Sequence, residues 1–521
     1  MILNVIILIC FTAFFVRRLL TYLHVFQQDE YDPKRFWDWL IAYKAYDKRA
    51  SLWVGGFAII AFLPGLVWFG KLFIAGAFAY FAYKENNPLK NAKKKLVLTN
   101  RAKGIAIIAF TLIDTLALAV TFTPANYFLW VLLIQLIPLS LMASVKIRAP
   151  MDQKINAAFR AEAEQKLKQL EPFIIGITGS FGKTSVKHFL SHILQNQAPT
   201  LMTPGSVNTE MGITRIIREQ LGAHHKYFIV EMGAYGIGSI ERLCNFTKPN
   251  LSILTAVGGA HLERFKDLND TAKAKLEIAA PILEQDNAVL VLHQSVLDQP
   301  YAAEFYSAHK DKILLCGDVG DIVLTGASQT ATGLSINLKI DNETHNFKAP
   351  IYGLHHAGNI MLAIAAAHKL GMSLKDISVA VSSLPQVKHR LEVKEVGNYT
   401  LIDDAYNSNP KGFAAGLDLL DLLAKEKGGR RILITPGMVE LGESHDKEHS
   451  KLGLKANDKV DIAVLIQPQR IQRFVDTFKG EEVLFDRFEQ AQSWLADNVQ
   501  DNDVVLIEND LPDLYERQLN L

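Results

Sequence analysis

The stretch Phe173-Ile-Ile-Gly176-Ile-Thr-Gly179-Ser180-Phe-Gly182-Lys183-Thr184-Ser185 decides how the larger, C-terminal part of this chain must fold. An apolar run reads as a buried strand, the glycines after it let the backbone curl, and the residues beyond Lys183 read as a helix. In such a turn the backbone N–H groups converge on one point, where the helix dipole also favours negative charge. Lys183 can then reach the outer phosphates of a nucleotide, and Thr184 can ligate magnesium. The general phosphate-loop spacing asks for glycine at 177, where Ile177 stands, so the generic pattern misses by one position.

Downstream, short apolar runs alternate with amphipathic stretches at 227–231, 251–257 and 288–292, the rhythm of a doubly wound α/β domain. A second series begins near Leu391, with runs at 399–402, 431–435, 462–466 and 504–507, and residues 387–392 read as the hinge. Upstream, nearly all the long uncharged runs lie before Met151: residues 2–16, 52–83, 104–123 and 127–145. A span needs roughly 20 apolar residues to cross roughly 30 Å of hydrocarbon, so this half must meet lipid. The second run is too long for one helix, and Pro64-Gly65 at its middle reads as a turn between two short helices or a re-entrant hairpin.

Basic residues orient the spans. Arg17, Arg18, Lys34, Arg35, Lys44, Lys48 and Arg49 fill one loop, and Lys84, Lys90, Lys93, Lys94, Lys95, Arg101 and Lys103 another, so both are expected on the cytoplasmic side. With the hairpin returning the chain to its starting side, residues 123–126 fall outside, and Lys146, Arg148 and all that follows fall inside, at the cell membrane's cytoplasmic face. Arg17 and Arg18 follow the first apolar run with no small-residue cleavage pattern, which argues for a retained helix over a cleaved signal. A length of 521 residues exceeds a single core. The expected division is a helical transmembrane region at 1–149, a phosphate-loop α/β domain at 150–388 and a Rossmann-like α/β domain at 389–521. A net charge of +1 leaves no single-sign field for nucleic acid. The three cysteines, Cys10, Cys244 and Cys316, lack metal or disulfide spacing and suit a reducing compartment.

Further motifs follow the phosphate loop in a fixed order: Ser206-Val-Asn208-Thr209-Glu210-Met-Gly212, Val230-Glu231-Met232-Gly233-Ala234, Thr255-Ala-Val-Gly258-Gly-Ala-His261-Leu262-Glu263 and Ala272-Lys-Ala-Lys275-Leu-Glu277. Then come Gly353-Leu-His355-His356-Ala-Gly-Asn359, His389-Arg390-Leu391, Asp403-Asp404-Ala-Tyr406-Asn407-Ser-Asn409-Pro410 and Pro436-Gly-Met438-Val-Glu440-Leu-Gly442-Glu443. In this order, and with Gly-Ile-Thr-Gly-Ser-x-Gly-Lys-Thr as its phosphate loop, the chain resembles the Mur ligase family over roughly 173–453. The last two motifs are most similar to the branch that adds D-alanyl-D-alanine to the peptidoglycan precursor. The resemblance does not reach the membrane half.

The resemblance implies an ADP-forming amide ligase that joins a carboxylate to an amine through an acyl phosphate, using ATP and Mg2+. It implies nucleotide contacts at Gly179, Ser180, Gly182, Lys183, Thr184, Ser185, Asn359 and Arg390, with Asp404 on the ribose. It also implies metal ligation by Thr184, Glu231, His261 and Lys275, the last as a carbamate, and catalytic roles for Lys183, His261 and Lys275. Taken alone, Glu231 is a solvated strand end, His261 a satisfied loop histidine and Lys275 a surface lysine beside Lys273 and Glu277. Relatives carry a soluble nucleotide-sugar domain where this chain has membrane helices. A lipid-linked or polymeric carboxylate is therefore the expected substrate, with a D-alanyl-D-alanine-adding enzyme carrying an added anchor as the alternative. An ATP-driven transporter is a reading from another class, opposed by the lack of internal duplication and by few intramembrane charges apart from Asp114.

Three further expectations concern single residues. His188, His192, His445 and His449 read as helix-surface histidines, because neither pair has a third ligand nearby. His356 stands where the related pattern usually has Asn, which puts adenine contacts at that position in doubt. Glu508-Asn509-Asp510 replaces a Lys-Gly-Ser-Arg-like turn, and an acidic turn there would favour an incoming amine with a second ammonium over D-alanyl-D-alanine.

Overall fold

The computed structural model describes residues 2–90, 95–123, 127–234, 236–258, 267–405, 409–439, 441 and 444–508. The chain forms two compact units, one over residues 1–157 and one over residues 158–510.

The first unit is helical: α1 (Ile2–Gln28), α2 (Pro33–Ala42), α3 (Arg49–Phe62), α4 (Val67–Lys84), α5 (Asn100–Phe122) and the first part of α6 (Leu129–Leu170). Asp32 caps α2 by accepting from the backbone N–H groups of Lys34 and Arg35, and Thr99 caps α5 through Ala102. The turn between α3 and α4 sits at Pro64-Gly65, where Gly65 takes a φ of 82° that disfavours other residues. Phe11, Phe14, Phe78 and Trp130 pack edge-on and tilted at the centre. Outward-facing Ile9, Ile107, Leu118, Phe122 and Leu132 are exposed, so this unit is apolar on its surface as well as in its core. By length and composition α1, α5 and α6 can each cross a membrane, while α3 is a shorter apolar helix.

The sequence reading places Arg17 and Arg18 in a loop, and the structure corrects this. The first helix runs past the apolar stretch 2–16 to Gln28, because Arg18 is paired inside the bundle, 2.6 Å from Asp47 and 3.0 Å from Glu85. Its charge therefore does not end the helix. At the far end, α6 continues unbroken through Pro138 and Pro150.

The second unit holds two sheets. Strands β1 (Phe173–Thr178), β2 (Thr200–Met202), β3 (Tyr227–Glu231), β4 (Leu251–Leu254), β5 (Val289–His293), β6 (Ile313–Gly317), β7 (Ile322–Thr330), β8 (Gly333–Ile340) and β9 (Glu343–Ala349) form one sheet, ordered β2-β3-β1-β4-β5-β6-β7-β8-β9. Its strands are parallel through the β6–β7 pair, and β7 to β9 form an antiparallel meander. The helices Lys183–Gln195 and His356–Lys369 pack on one face of this sheet with β1, β3 and β4. The other sheet comprises β10 (Glu392–Val396), β11 (Tyr399–Asp404), β12 (Arg431–Thr435), β13 (Ile462–Ile466), β14 (Glu481–Phe485) and β15 (Val504–Glu508), ordered β10-β11-β15-β12-β13-β14. All but β10 run parallel. In the first sheet the order reverses beside β1, and in such sheets ligands bind beyond the carboxyl ends of the strands at that point.

Candidate functional site

The carboxyl end of β1 opens into residues 179–182 and then the helix Lys183–Gln195. Gly179 and Gly182 have φ of 152° and 82°. A Cβ at Gly179 would overlap Thr255 Oγ1, and one at Gly182 would overlap Asn359 Oδ1, so only glycine fits either place. The loop is fastened to the end of β4: Ser180 N–H donates to Ala256 O at 2.7 Å, and Ser180 Oγ lies 3.0 Å from both N and O of Gly258. Lys183 Nζ folds back over the curl and donates to Gly179 O at 2.7 Å and Ser180 O at 3.2 Å. Burial pushes its pKa below the usual lysine value, and nearby Arg390 pushes the same way while Glu231 opposes both. Ser185 is buried in the first turn of the helix.

Glu231, the last residue of β3, is 1% exposed, so the solvated strand end is excluded. Thr184 Oγ1 donates to its Oε2 at 3.1 Å, and Lys187 Nζ lies 2.8 Å from the same atom. Sequence reasoning missed Lys187, although it stands four residues after Lys183 on the same helix, and its side chain is fully buried. Its pKa is lowered by burial, against the pull of Glu231. Held by a hydroxyl and a lysine on one oxygen, the Glu231 carboxyl is fixed in orientation.

Lys275, in the helix Leu268–Leu276, is 4% exposed, which excludes the surface-lysine reading. Burial lowers its pKa well below the ordinary value, and the charge of Lys183 adds to the effect. A neutral amine in such a place is nucleophilic. Its neighbour Glu277 is structural. The Glu277 carboxylate accepts from the N–H groups of Gly238, Ile240 and Glu241 at 2.6, 3.1 and 3.0 Å, capping the helix Ser239–Thr247. His261 lies outside the described residues.

Asn359 reaches the loop from the helix His356–Lys369, and its Nδ2 sits 3.1 Å from His356 Nδ1. His356 is buried edge-on against Phe189, and burial pushes its pKa well down, so the neutral ring orients Asn359 from within the fold. Arg390 lies between His389 and Leu391, both of which have positive φ. Leu391 N–H donates to Asp404 Oδ1 at 3.2 Å. Asp404 is hydrogen-bonded to Glu508, its register partner on the adjacent strand, and burial raises its pKa to about 6 even though Arg390 opposes the shift.

These positions correct two sequence expectations. Glu508 is the last residue of β15 and is 0% exposed, so it does not belong to a solvated acidic turn; Asn509 and Asp510 lie outside the described residues. His449 is fully buried rather than on a helix surface, because its Nε2 accepts from Met438 N–H at 3.0 Å and its Nδ1 bonds His445 O at 2.8 Å. Both differences share a cause: a polar residue can be internal when a backbone or side-chain partner satisfies it.

A phosphate loop on a doubly wound sheet, approached by an arginine from a second parallel-sheet domain, defines a two-domain P-loop α/β protein. Residues 177–367 match the Mur ligase middle domain and residues 389–508 match the Mur ligase, glutamate ligase domain. The chain belongs to the Mur ligase family. It is 29% identical over 307 residues to the UDP-N-acetylmuramoyl-tripeptide–D-alanyl-D-alanine ligase of Bacillus subtilis, covering 58% of this chain and 65% of that one. Against the enzyme of the same name from Escherichia coli it is 28% identical, covering 57% and 64%. The chain thus spans less than two thirds of either relative. A crystal structure of MurF from Acinetobacter baumannii is similar with a TM-score of 0.61 at 25% identity, covering 68% of this chain and 78% of that one. The MurF ligase of Thermotoga maritima in complex with ADP shares the fold with a TM-score of 0.59 at 24% identity, covering 70% and 82%.

Proposed function

We propose that this protein is an ATP-dependent, ADP-forming amide ligase, held in the cell membrane by its N-terminal helices with its α/β domains on the cytoplasmic side. The observation that carries the reading is the meeting of the Gly179–Ser185 loop, the Thr184–Glu231 pair, buried Lys275 and Arg390 at one end of the sheet. Gly179 and Gly182 line a cradle that a Cβ would fill, which suits phosphate. Thr184 Oγ1 and Glu231 Oε2 are hard oxygen donors 3.1 Å apart, which suits Mg2+. His261 and Lys275 as a carbamate complete the proposed ligand set. Bound there, the ion supplies neutralisation of charge on the phosphates.

The chain's own residues then have distinct roles. Lys183 leaves its two carbonyl partners to meet the outer phosphate oxygens, and Ser180 and Ser185 complete the cradle. Asn359, fixed by His356, faces Gly182 and limits where the nucleotide enters. Arg390 brings its charge-assisted fork to the phosphates, and Asp404 accepts from the ribose. Lys187 keeps Glu231 oriented.

The carboxylate substrate is read as membrane-linked, since three helices are apolar enough to cross a membrane. The second reading, a D-alanyl-D-alanine-adding enzyme with an anchor, draws on the names of the relatives. The transport reading gains no support from relatives that are ligases. The deciding assay is amine-dependent ADP release by the detergent-purified full chain. Lys183→Ala is expected to lower it about 10²- to 10³-fold while the protein stays folded. Near-normal turnover in that variant would overturn the nucleotide assignment, and a D-alanyl-D-alanine preference with a soluble nucleotide-sugar substrate would favour the second reading.

A further inference from the structure

A second polar centre lies inside the helical unit, away from every residue assigned above. Arg18, Arg49, Trp53, Tyr80, Phe81, Lys84 and Glu85 line a cavity of about 570 Å3 where α1, α3 and α4 meet. Its floor is rigid. Arg18 is 3% exposed and held between Asp47 and Glu85, Thr21 Oγ1 donates to Glu85 at 2.6 Å, and Asp47 also caps α3 through Ala50 N–H at 2.9 Å. The Arg18 guanidinium also lies over the Phe14 ring, 5.2 Å from its centroid, so its charge is a fixed part of the lining.

The walls have two characters. Arg49 and Lys84 form no ion pair among the described residues, so with Arg18 and Glu85 the lining carries a formal net charge of +2 from three cations and one anion. Trp53 and Tyr80 stack with centroids 6.0 Å apart, and Phe81 meets Trp53 edge-on. Both Trp53 and Tyr80 are about half exposed. Aromatic rings of this kind gather at the level of lipid headgroups. A cationic floor under an aromatic rim fits an amphiphile with an anionic head, and guanidinium and ammonium together suit a phosphate better than a zwitterion.

We propose that this cavity binds the phosphate head of a membrane lipid, with Arg49 and Lys84 as its principal partners above the buried charge of Arg18. The assignment rests on the membrane reading above but not on the ligase reading. The test uses the full chain in phosphatidylcholine nanodiscs doped with a polyprenyl monophosphate or with phosphatidylglycerol, and native mass spectrometry counts retained lipid. Wild type is expected to retain the phosphate lipids over phosphatidylcholine, and R49Q/K84Q to retain at least tenfold less, while K103Q, in a basic segment outside the cavity, behaves as wild type. Retention of the polyprenyl lipid alone supports a monoester site, equal retention of both supports a general phosphate-headgroup site, and competition by inorganic phosphate supports a site that reads the phosphate itself. Undiminished retention in R49Q/K84Q, or equal losses in K103Q, overturns the proposal. A chain that stays soluble without detergent overturns the membrane reading and this site with it, whereas ADP release reports on the ligase reading separately.

Discussion

Lys275, Asp404 and Lys187 carry the chemistry at the scale of single residues. Lys275 is buried close enough to Lys183 for their charges to interact, so a carbamate there would exchange a repelled cation for an anion. Lys275→Ala is expected to lose about 10²-fold or more in ADP release, and millimolar short-chain carboxylate to restore part of it. Normal activity without rescue sinks the carbamate. Asp404 invites a measurement of stability instead. Its folded pKa of about 6 lies above the ordinary 3.8, so its protonated form is the favoured folded form. The contribution is present below about pH 4 and is lost as pH rises through 6. Asp404→Asn should therefore raise the melting temperature at pH 7.5, by roughly 2–4 °C per kcal/mol recovered, and raise it less at pH 5. A gap independent of pH would show that the Asp404–Glu508 pair does not hold the proton. The motif order made Lys183, Glu231, Lys275 and Asp404 legible in the sequence. Lys187 and His356 were not legible as support, because a lysine or histidine on a helix carries no mark of burial until its partner, Glu231 or Asn359, is placed in space.

Elements show the same division between what sequence carries and what packing decides. Strands β1, β3, β12 and β13 coincide with their apolar runs, since a strand covered on both faces must be apolar throughout. The meander β7 to β9 was not legible: Thr, Ser, Gln, Asn and Lys alternate along it, one face is exposed, and no continuous run results. At 255–257 the run outlasts the strand, because β4 ends at Leu254 and the chain turns to fasten the phosphate loop. That loop is the element whose geometry is least forgiving. Gly182 is the N-cap of the helix Lys183–Gln195 in the left-handed region, with Asn359 Oδ1 filling the space a Cβ would take. Gly182→Ala should cost about 1–2 kcal/mol of stability for the backbone alone and displace Asn359. Binding of a fluorescent ADP analogue is expected to weaken at least about tenfold, equivalent to 1.4 kcal/mol. Unchanged affinity would mean that Asn359 and the loop do not jointly form the nucleotide site.

The whole molecule poses the question of sidedness. Helix α3 has 14 residues, which at 1.5 Å per residue rise about 21 Å, short of roughly 30 Å of hydrocarbon. In the proposed topology the α3–α4 pair enters and returns, with Pro64-Gly65 at its tip, and leaves parity to α1, α5 and α6. The buried ion pairs bear on this directly. Arg18 within α1, Asp47 before α3 and Glu85 after α4 meet within 3.0 Å, so the two ends of the hairpin and the Arg18 turn of α1 lie at one level of the bundle. That level adjoins Lys48, Arg49 and Lys84, which in the proposed topology belong to the cytoplasmic loops. From there, on the same proposal, α5 leads out and α6 leads back. Reporter fusions after Lys95 and after Arg148 are expected to read cytoplasmic, and a fusion after Thr123 to read external. An external signal after Lys95 would break the hairpin argument. An external signal after Arg148 would put the phosphate loop where ATP is absent, and the ligase reading would fall with the topology.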